Sequence, residues 1–216
     1  MSNNIAVVND GFNYTDEGES KSSVIKGRLV KFTNDSAWVS DDEELPGDLE
    51  LVVIDLARVV QKWADGSPIE TRVLAPDEKF PDIKQLNADT PRGEWIEGPD
   101  GQERGPWQAQ HLVYLLNQET MDVYTFATGT VGGSIAVRDL RERTNWMRKL
   151  RGSGMYPVVT LSDTHMNTRF GGRQRPHLKV QRFIALGGNG GAVEGPATKK
   201  LTKPTAAEEI GDEVRY

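Results

Sequence analysis

The stretch from His111 to Ile184 constrains the fold most, because it contains two predicted strand pairs around one predicted helix. Residues 111–117 are a short apolar and aromatic run, and residues 121–128 alternate with the two-residue period of a strand. The polar turn between these runs predicts a hairpin. An order of hairpin, helix and hairpin leaves only a few small β-rich folds available to the chain.

The helix and the second hairpin follow in the same stretch. Ser134 is a suitable N-cap for a segment with apolar residues at helical spacing, and Gly152 is a suitable C-terminal stop. Residues 156–170 predict a strand, which two glycines and Pro176 interrupt, and residues 177–184 predict its partner. We expect the interrupted part to form the loop of this hairpin.

The first half of the chain predicts further strand pairs. Residues 24–32 and 37–39 indicate a hairpin at the edge of the domain. Residues 49–63 are strongly apolar and β-branched, which favours a strand or a bent pair of strands over a helix. Residues 59–63 and 69–74 lie on either side of a turn and predict another hairpin.

A long irregular excursion separates these strands from the central stretch. Residues 76–106 contain five of the eleven prolines of the chain. Loops of this length inside a compact domain are uncommon and often functional. Trp95 lies in this polar segment and Trp107 directly follows it, and we therefore select both as candidates for stacking on a ligand.

Composition excludes several classes of protein. The 216 residues include no cysteine, which excludes disulfides, thiol catalysis and cysteine-bound zinc. No apolar run approaches the ~20 residues of a membrane span, and the N-terminus shows no secretory signal. We expect a soluble, cytoplasmic protein without a membrane partner. The three histidines do not match metal-site spacing, so no metal site is predicted; they are His111, His165 and His177.

Charge is sharply segregated along the chain, although its formal net value is only −6. Residues 10–50 hold eleven acidic and four basic residues, whereas residues 138–182 hold eleven basic and three acidic residues. One interpretation is a solvated basic face that the acidic half covers within the fold. The other is a surface that binds a polyanion.

The most informative basic cluster lies in residues 169–183, where cations alternate with flat side chains. Single-strand binding uses this mixture, because cations contact phosphates while bases stack on aromatic rings at ~1–3 kcal/mol per base. Arg173 and Arg175 are predicted to lie in the hairpin loop. A basic loop with Phe170 and Phe183 in the core is the alternative. The predicted nucleic-acid-binding residues are Arg169, Phe170, Arg173, Arg175, Lys179, Arg182, Trp95 and Trp107.

No catalytic motif accompanies this cluster. The glycine-rich runs at 129–134 and 187–191 lack the lysine of a phosphate-binding P-loop and the spacing of a dinucleotide-binding fingerprint. Neither a serine-hydrolase elbow nor a zinc-protease motif is present. We therefore predict a non-enzymatic protein that needs no cofactor.

Composition also divides the chain into three parts. Residues 1–23 are polar with few large apolar side chains, which predicts a mobile N-terminal arm. Residues 24–186 are predicted to form a single β-rich domain. Residues 187–216 begin with glycines and prolines and end with an acidic run, which predicts a flexible linker and tail.

This organisation resembles that of the single-stranded DNA-binding proteins of bacteriophages and bacteria. The predicted order matches the OB-fold, a five-stranded barrel with a helix between its third and fourth strands, here with extra hairpins and disordered termini. The resemblance implies a mainly β (α+β) fold and a role in DNA replication or recombination. It also implies that the acidic tail recruits replication or recombination partners and competes with DNA, through Glu208, Glu209, Asp212, Glu213 and Tyr216.

Two rival classes stay open at this point. A virion or assembly protein would also be β-rich, cysteine-free and acidic, and it would form oligomers without salt-sensitive DNA affinity. A homo-oligomer is compatible with either class. A small nuclease would share the basic surface, but it should also have clustered carboxylates or a histidine pair, and neither is found.

Overall fold

Strands provide most of the regular structure in residues 24–97, 103–168 and 171–185, which are the residues that the computed structural model describes. The strands are β1 Arg28–Phe32, β2 Trp38–Ser40, β3 Glu43–Glu44, β4 Glu50–Ala64, β5 Ser67–Val73, β6 Ile96–Glu97, β7 Glu103–Arg104, β8 Trp107–Leu116, β9 Val123–Thr128, β10 Met155–Thr168 and β11 Gly171–Ala185. The helices are α1 Ile83–Ala88 and α2 Val131–Arg151, and Arg92–Glu94 forms a 3₁₀ turn. The predicted arm and tail, residues 1–23 and 187–216, lie outside the described residues.

Nine of the described strands form one sheet, in the order β11, β10, β4, β8, β9, β1, β2 and β3, with β5 paired to β4 outside this path. The sheet curls into an open half-barrel. Strands β1 and β9 are parallel, and the other pairs are antiparallel. Strands β6 and β7 form a separate ribbon. The mainly β class predicted from the sequence is confirmed.

The order of elements is also confirmed. Four predicted hairpins are present as β1–β2, β4–β5, β8–β9 and β10–β11, and α2 lies between β9 and β10. The apolar run at 49–63 is one strand, β4, with a register shift between Val53 and Asp55. Such a bulge bends a strand. The bend lets β4 pair with β10 near its start and with β5 near its end.

The N-cap of helix α2 lies four residues before the predicted N-cap, Ser134. Thr130 is the cap, and its side-chain oxygen accepts a hydrogen bond from the Gly133 amide at 3.1 Å. The glycines before Ser134 are therefore part of the helix. A Cβ on Gly133 would come 1.9 Å from Oγ1 of Thr128, so glycine permits the close approach of α2 to the end of β9. The predicted stop at Gly152 is confirmed.

The second hairpin differs from the prediction in its length. Strand β11 begins at Gly171 and continues through Pro176, which lies opposite Asp163 of β10. The expectation that these residues interrupt the hairpin is wrong. Among the described strands, β11 is at the end of the sheet and pairs only with β10, and proline is tolerated on an edge strand because its missing N–H is not needed by a second neighbour.

The main core lies between the sheet and α2. Strands β1, β2, β4, β8, β9, β10 and β11 contribute apolar side chains to it, and α2 contributes Val137 and Leu140. The largest of its fully buried members are Phe126, Leu51, Leu115 and Leu140. A smaller cluster around Val59, Leu112 and Tyr114 lies apart from the main core, and the segment that leads into β1 packs on it through Val24 and Ile25. The position of α2 is thus fixed by burial on one of its sides.

The excursion is attached to the start of β8 by a single side chain. The amide of Asn87 donates to the Trp107 carbonyl at 3.0 Å and accepts from the Trp107 backbone N–H at 2.9 Å. Gly105 lies against Asn87, because a Cβ there would come 2.1 Å from its Cγ. The excursion contains α1, the 3₁₀ turn and the β6–β7 ribbon, so it is more regular than its composition indicates.

Candidate functional site

The cations chosen from the sequence lie on strand β11. Arg173 and Arg175 are inside the strand, opposite Met166 and Thr164 of β10, so their predicted loop position is wrong. Only two residues separate β10 from β11. These two residues, Arg169 and Phe170, lie outside the described residues. By two-residue alternation Arg173, Arg175 and Lys179 share one face of β11.

Two of these cations are engaged by carboxylates. Arg175 is mostly buried, with 15% of its side chain exposed, and its Nη2 donates to Oδ2 of Asp139 on α2 at 3.1 Å. Arg182 forms an ion pair with Glu50 of β4. A bound polyanion would have to displace these carboxylates. Arg173 and Lys179 form no ion pair with a carboxylate in the described ranges, and they are the cations of this strand that a ligand can reach directly.

The two candidate tryptophans are positioned by other elements. The Arg92 guanidinium lies over the Trp95 ring at 3.8 Å from its centroid, and Trp95 Nε1 donates to the Thr90 carbonyl at 3.4 Å. Trp107 is the first residue of β8, opposite Lys62 of β4. One face of Trp95 is therefore already occupied by a cation.

The tryptophans and the hairpin are attached to different ends of β4. Strand β10 pairs with β4 at Glu50 to Val52, whereas Trp107 pairs with it at Lys62. Ten residues of strand correspond to about 33 Å when straight, and the bulge shortens this distance. The structure therefore does not assemble the predicted residues into one site.

A cleft of about 1050 Å³ lies between α2 and the middle of β4, and none of the predicted residues that the structure describes lines it. This volume is at the upper end of the range for ligand sites, about 300–1,000 Å³. Four arginines and one aspartate line the cleft: Arg58, Arg138, Arg141, Arg148 and Asp55. The charged residues of its lining are therefore mainly basic, and most of the other lining residues are apolar.

Polar residues on the helix side of the cleft form a stripe along α2, beside the apolar Val131, Ile135 and Val137. Its members are Ser134, Arg138, Arg141, Asn145 and Arg148. At 3.6 residues per turn they fall within an arc of about 80°. This arc lies beside the buried face that carries Val137 and Leu140. The helical spacing of these residues was visible in the sequence, but which face of the helix would be covered was not.

On the sheet side of the cleft, hydrogen bonds and a ring contact hold the guanidinium of Arg58 in a fixed position. Nη2 of Arg58 donates to the carbonyls of Ala75 at 2.7 Å and Pro76 at 2.9 Å, and the guanidinium lies 5.8 Å from the Phe80 ring centroid. His111 contacts the same ring edge to face at 5.3 Å. These contacts order the cation and the two rings in the absence of a ligand.

Electrostatics in the cleft favour an anion. Burial lowers the pKa of His111, and the guanidinium groups of Arg58 and Arg141 lower it further, so the imidazole is largely neutral at pH 7. Within the described part of the chain neither Arg58 nor Arg141 forms an ion pair, and Arg138 contacts only its neighbour Asp139 at 3.7 Å. Arg148 is fixed by a 3.0 Å hydrogen bond from its Nε to the Met155 carbonyl and lies over the Tyr156 ring. An anion would supply the missing countercharge.

A second, apolar groove of about 480 Å³ lies on another side of α2, against the end of β11. Trp146 and Leu150 are 67% and 72% exposed there. The groove is also lined by Arg143, Met147, Val180, Gln181, Arg182 and Phe183. Exposed aromatic and aliphatic side chains of this kind are typical of protein contact surfaces. The two sides of α2 thus differ in chemistry.

The described ranges contain no group of three or more histidine, aspartate and glutamate side chains that could hold a metal ion. Neither α1 nor α2 combines the length and the apolar character that a membrane-crossing helix needs. Comparison of the chain with protein-family models, with curated proteins and with solved structures finds no match. The chemistry of the cleft is therefore the basis for a functional proposal.

Proposed function

We propose that the protein binds single-stranded DNA, with the cleft between α2 and β4 as its main contact surface. The observation that carries this proposal is the set of four lining arginines, of which three have no carboxylate partner among the described residues. Phosphates need such free cations, and the rings of Phe80 and His111 beside Arg58 offer flat apolar surface to a base. The function is one of binding, and no catalytic step is proposed.

The order of strands around the cleft supports the proposal. Strands β4, β8 and β9, helix α2, and strands β10 and β11 follow the OB-fold order, with the helix between the third and fourth strands. We take these five strands as an OB-like barrel that is open between its third and fifth strands, where β9 pairs instead with β1. OB-folds commonly bind oligonucleotides across such a curved sheet.

The resemblance to phage and bacterial single-stranded DNA-binding proteins supplies the biological setting. It implies DNA replication or recombination, with the acidic tail recruiting partner proteins. The tail residues lie outside the described ranges, so this part of the proposal depends on the sequence alone. Arg173 and Lys179 remain candidates for an extension of the contact surface beyond the cleft.

A second candidate function is a non-enzymatic assembly protein, such as a virion component. The exposed Trp146 and Leu150 favour it, because an apolar groove of this kind suits contact with another protein chain. Such a protein would associate through the groove, and the basic cleft would not contact DNA.

The test is a fluorescence anisotropy titration of a labelled oligo-dT strand of about 16 nucleotides, the upper site size of one OB-fold. The same titration with a duplex of equal length is the control. We expect tighter binding to the strand, and a log–log salt slope near −3 because each phosphate contact contributes about −0.7. Equal or absent binding at low salt would refute the proposal. A flat salt response together with concentration-dependent oligomers in sedimentation would support the assembly function.

A further inference from the structure

We call the part of the cleft that is lined by Arg58, His111 and Arg141 its centre, and these three groups favour an anion there. Arg58 lies on the sheet side, Arg141 on the helix side, and both are near enough to His111 to depress its protonation. Arg138 and Arg148 lie farther along the helix stripe, and the stripe as a whole extends for about 15 Å between these two residues. A stripe of cations matches the successive phosphates of a strand, whereas donors that converge on one position match a single group with more than one negative charge.

Contacts within the protein hold Arg58 and His111 of this set in position. Two backbone carbonyls hold Nη2 of Arg58, which leaves its Nη1 and Nε available to a ligand. Phe80 contacts both the Arg58 guanidinium and the His111 ring. A fixed guanidinium loses less conformational entropy on binding than a mobile one, and its planar fork matches the oxygens of a phosphate.

The charge of the set exceeds what a backbone phosphate can balance. A phosphodiester has one negative charge, whereas a phosphomonoester has about 1.5 to 2 near pH 7 and three strong acceptor oxygens. Two guanidinium groups and an imidazole with an available N–H match the second ligand better. Asp55 is the carboxylate of the lining, and it is exposed and accepts a hydrogen bond from the Leu56 amide.

We infer that the centre of the cleft is a site for a terminal phosphate, so that the protein prefers strands that carry a phosphomonoester at one end. This inference rests on the proposed function and adds a preference for strand ends to it. Arg58 and Arg141 contact the terminal phosphate, His111 donates a hydrogen bond to it, and the helix stripe contacts the adjoining backbone. A protein with this site binds processed or broken DNA ends more tightly than internal segments.

The experiment compares three oligo-dT strands of equal length and equal label: one with a 5′-phosphate, one with a 3′-phosphate, and one with hydroxyls at both ends. One phosphorylated strand should bind roughly tenfold more tightly than the unphosphorylated strand, the gain expected of one added charge-assisted contact. The phosphorylated strand with the higher affinity identifies the end that occupies the site. In parallel, a titration of the full-length protein followed by histidine NMR signals should show a rise in the pKa of His111 on binding.

Three variants connect the preference to named residues. Arg141→Gln should abolish the preference for the phosphorylated strand, whereas Arg138→Gln should weaken binding of all three strands by a similar factor and keep the preference. Arg143→Gln, on the opposite side of α2, should change neither. All three positions are exposed, so each variant should fold, which the thermal transition checks.

The outcomes separate this inference from the proposed function. If the three strands bind equally well, the terminal-phosphate site is refuted while single-strand binding stands. If the preference is present but survives in Arg141→Gln, the phosphate is bound elsewhere and the inference is again refuted. If no strand binds at low salt, both the function and the inference fail.

Discussion

Two basic regions of the molecule, strand β11 and the cleft, contain similar numbers of cations but use them differently. On β11 the ion pairs of Arg175 with Asp139 and of Arg182 with Glu50 join separate elements of the fold. In the cleft, Arg58 is held by backbone carbonyls, and Arg141 forms no ion pair with a described residue. The first set stabilises the packing of α2 and β4, while the second remains available to a ligand.

If the cleft binds DNA as we propose, the local density of arginine along the sequence is a poor guide to the contact surface. The partner of each guanidinium decides whether that group can still attract an anion. A carbonyl partner leaves the positive charge unbalanced, whereas a carboxylate partner neutralises it. A hydrogen bond from Arg58 to a neutral carbonyl fixes its direction without cancelling its attraction for a phosphate. The following predictions test whether the two regions differ in this way.

The largest expected effect is on DNA affinity in the cleft. Replacing Arg138 and Arg141 together with alanine should weaken oligo-dT binding roughly thirtyfold, because each lost phosphate contact removes about 1 kcal/mol at an exposed site. The salt slope should become shallower by about 1.4. Alanine is favourable in a helix, so the melting temperature should stay nearly constant.

The matched control replaces Arg143 and Arg151, two exposed cations of the same helix that do not line the cleft. It removes the same charge from α2 and should leave the salt slope close to that of the wild type. Equal losses in both double variants would mean that the charge of the helix as a whole, rather than the cleft, attracts DNA.

A smaller effect on stability is expected at β11. Arg175→Ala removes the ion pair with Asp139 and should lower the free energy of unfolding by about 1 kcal/mol, because the carboxylate is partly exposed and solvent weakens the pair. For a chain of this size that corresponds to a fall of about 2–4 °C in the melting temperature. Arg173→Ala is the control on the same strand, and it should change stability by less than about 0.5 kcal/mol.

A double-mutant cycle with Asp139→Asn measures the pair itself. Calorimetry or urea unfolding of the two single variants and the double variant gives the coupling energy. If Arg175→Ala is neutral for stability but reduces DNA affinity as strongly as the cleft variant, the distinction between the two regions is wrong. Arg175 would then have the DNA-binding role that was predicted from the sequence, although it lies in a strand and not in a loop.

The elements that local sequence pattern controls were predictable. The alternation of Val123, Thr125 and Ala127 predicted β9, and Gly152 predicted the end of α2. The start of α2 was misjudged, because the two glycines of its first turn are needed for close packing against Thr128 and Arg175. A sequence does not distinguish a glycine that is needed for close helix packing from a glycine that is needed for a turn.

Elements that depend on distant parts of the chain were not predictable. Strand β1 pairs with β9 at a separation of 96 residues, and the Lys26 backbone just before β1 forms hydrogen bonds with the Thr125 side chain. The cleft likewise combines Arg58, His111 and Arg141 from three separate segments. No local period marks such a combination, since it arises from the bend of β4 and the burial of one side of α2. Arg141 belongs to the basic segment, residues 138–182, but Arg58 of β4, which lines the same cleft, lies outside that segment.

The smallest expected effect is a pH dependence that distinguishes the two histidines of these regions. Burial is the main cause that lowers the pKa of both His111 and His177, followed by nearby arginines, Arg58 for the first and Arg175 for the second. As the pH falls below about 6.5, the unfolded chain takes up protons that the folded protein does not accept. The free energy of unfolding should therefore fall between about pH 7.5 and about pH 5.5, and His111→Gln or His177→Gln should each reduce part of that fall.

Bound DNA should separate the two contributions, because only His111 lies in the proposed contact surface. A phosphate beside His111 offsets the repulsion from Arg58 and Arg141 and raises its pKa, so binding should take up protons and strengthen as the pH falls towards about 5.5. His177→Gln should keep this pH dependence of affinity, and His111→Gln should lose it. Anisotropy titrations of oligo-dT at the two pH values measure the effect. If His177→Gln loses the dependence instead, the proton is taken up at β11, and DNA contacts that strand rather than the cleft.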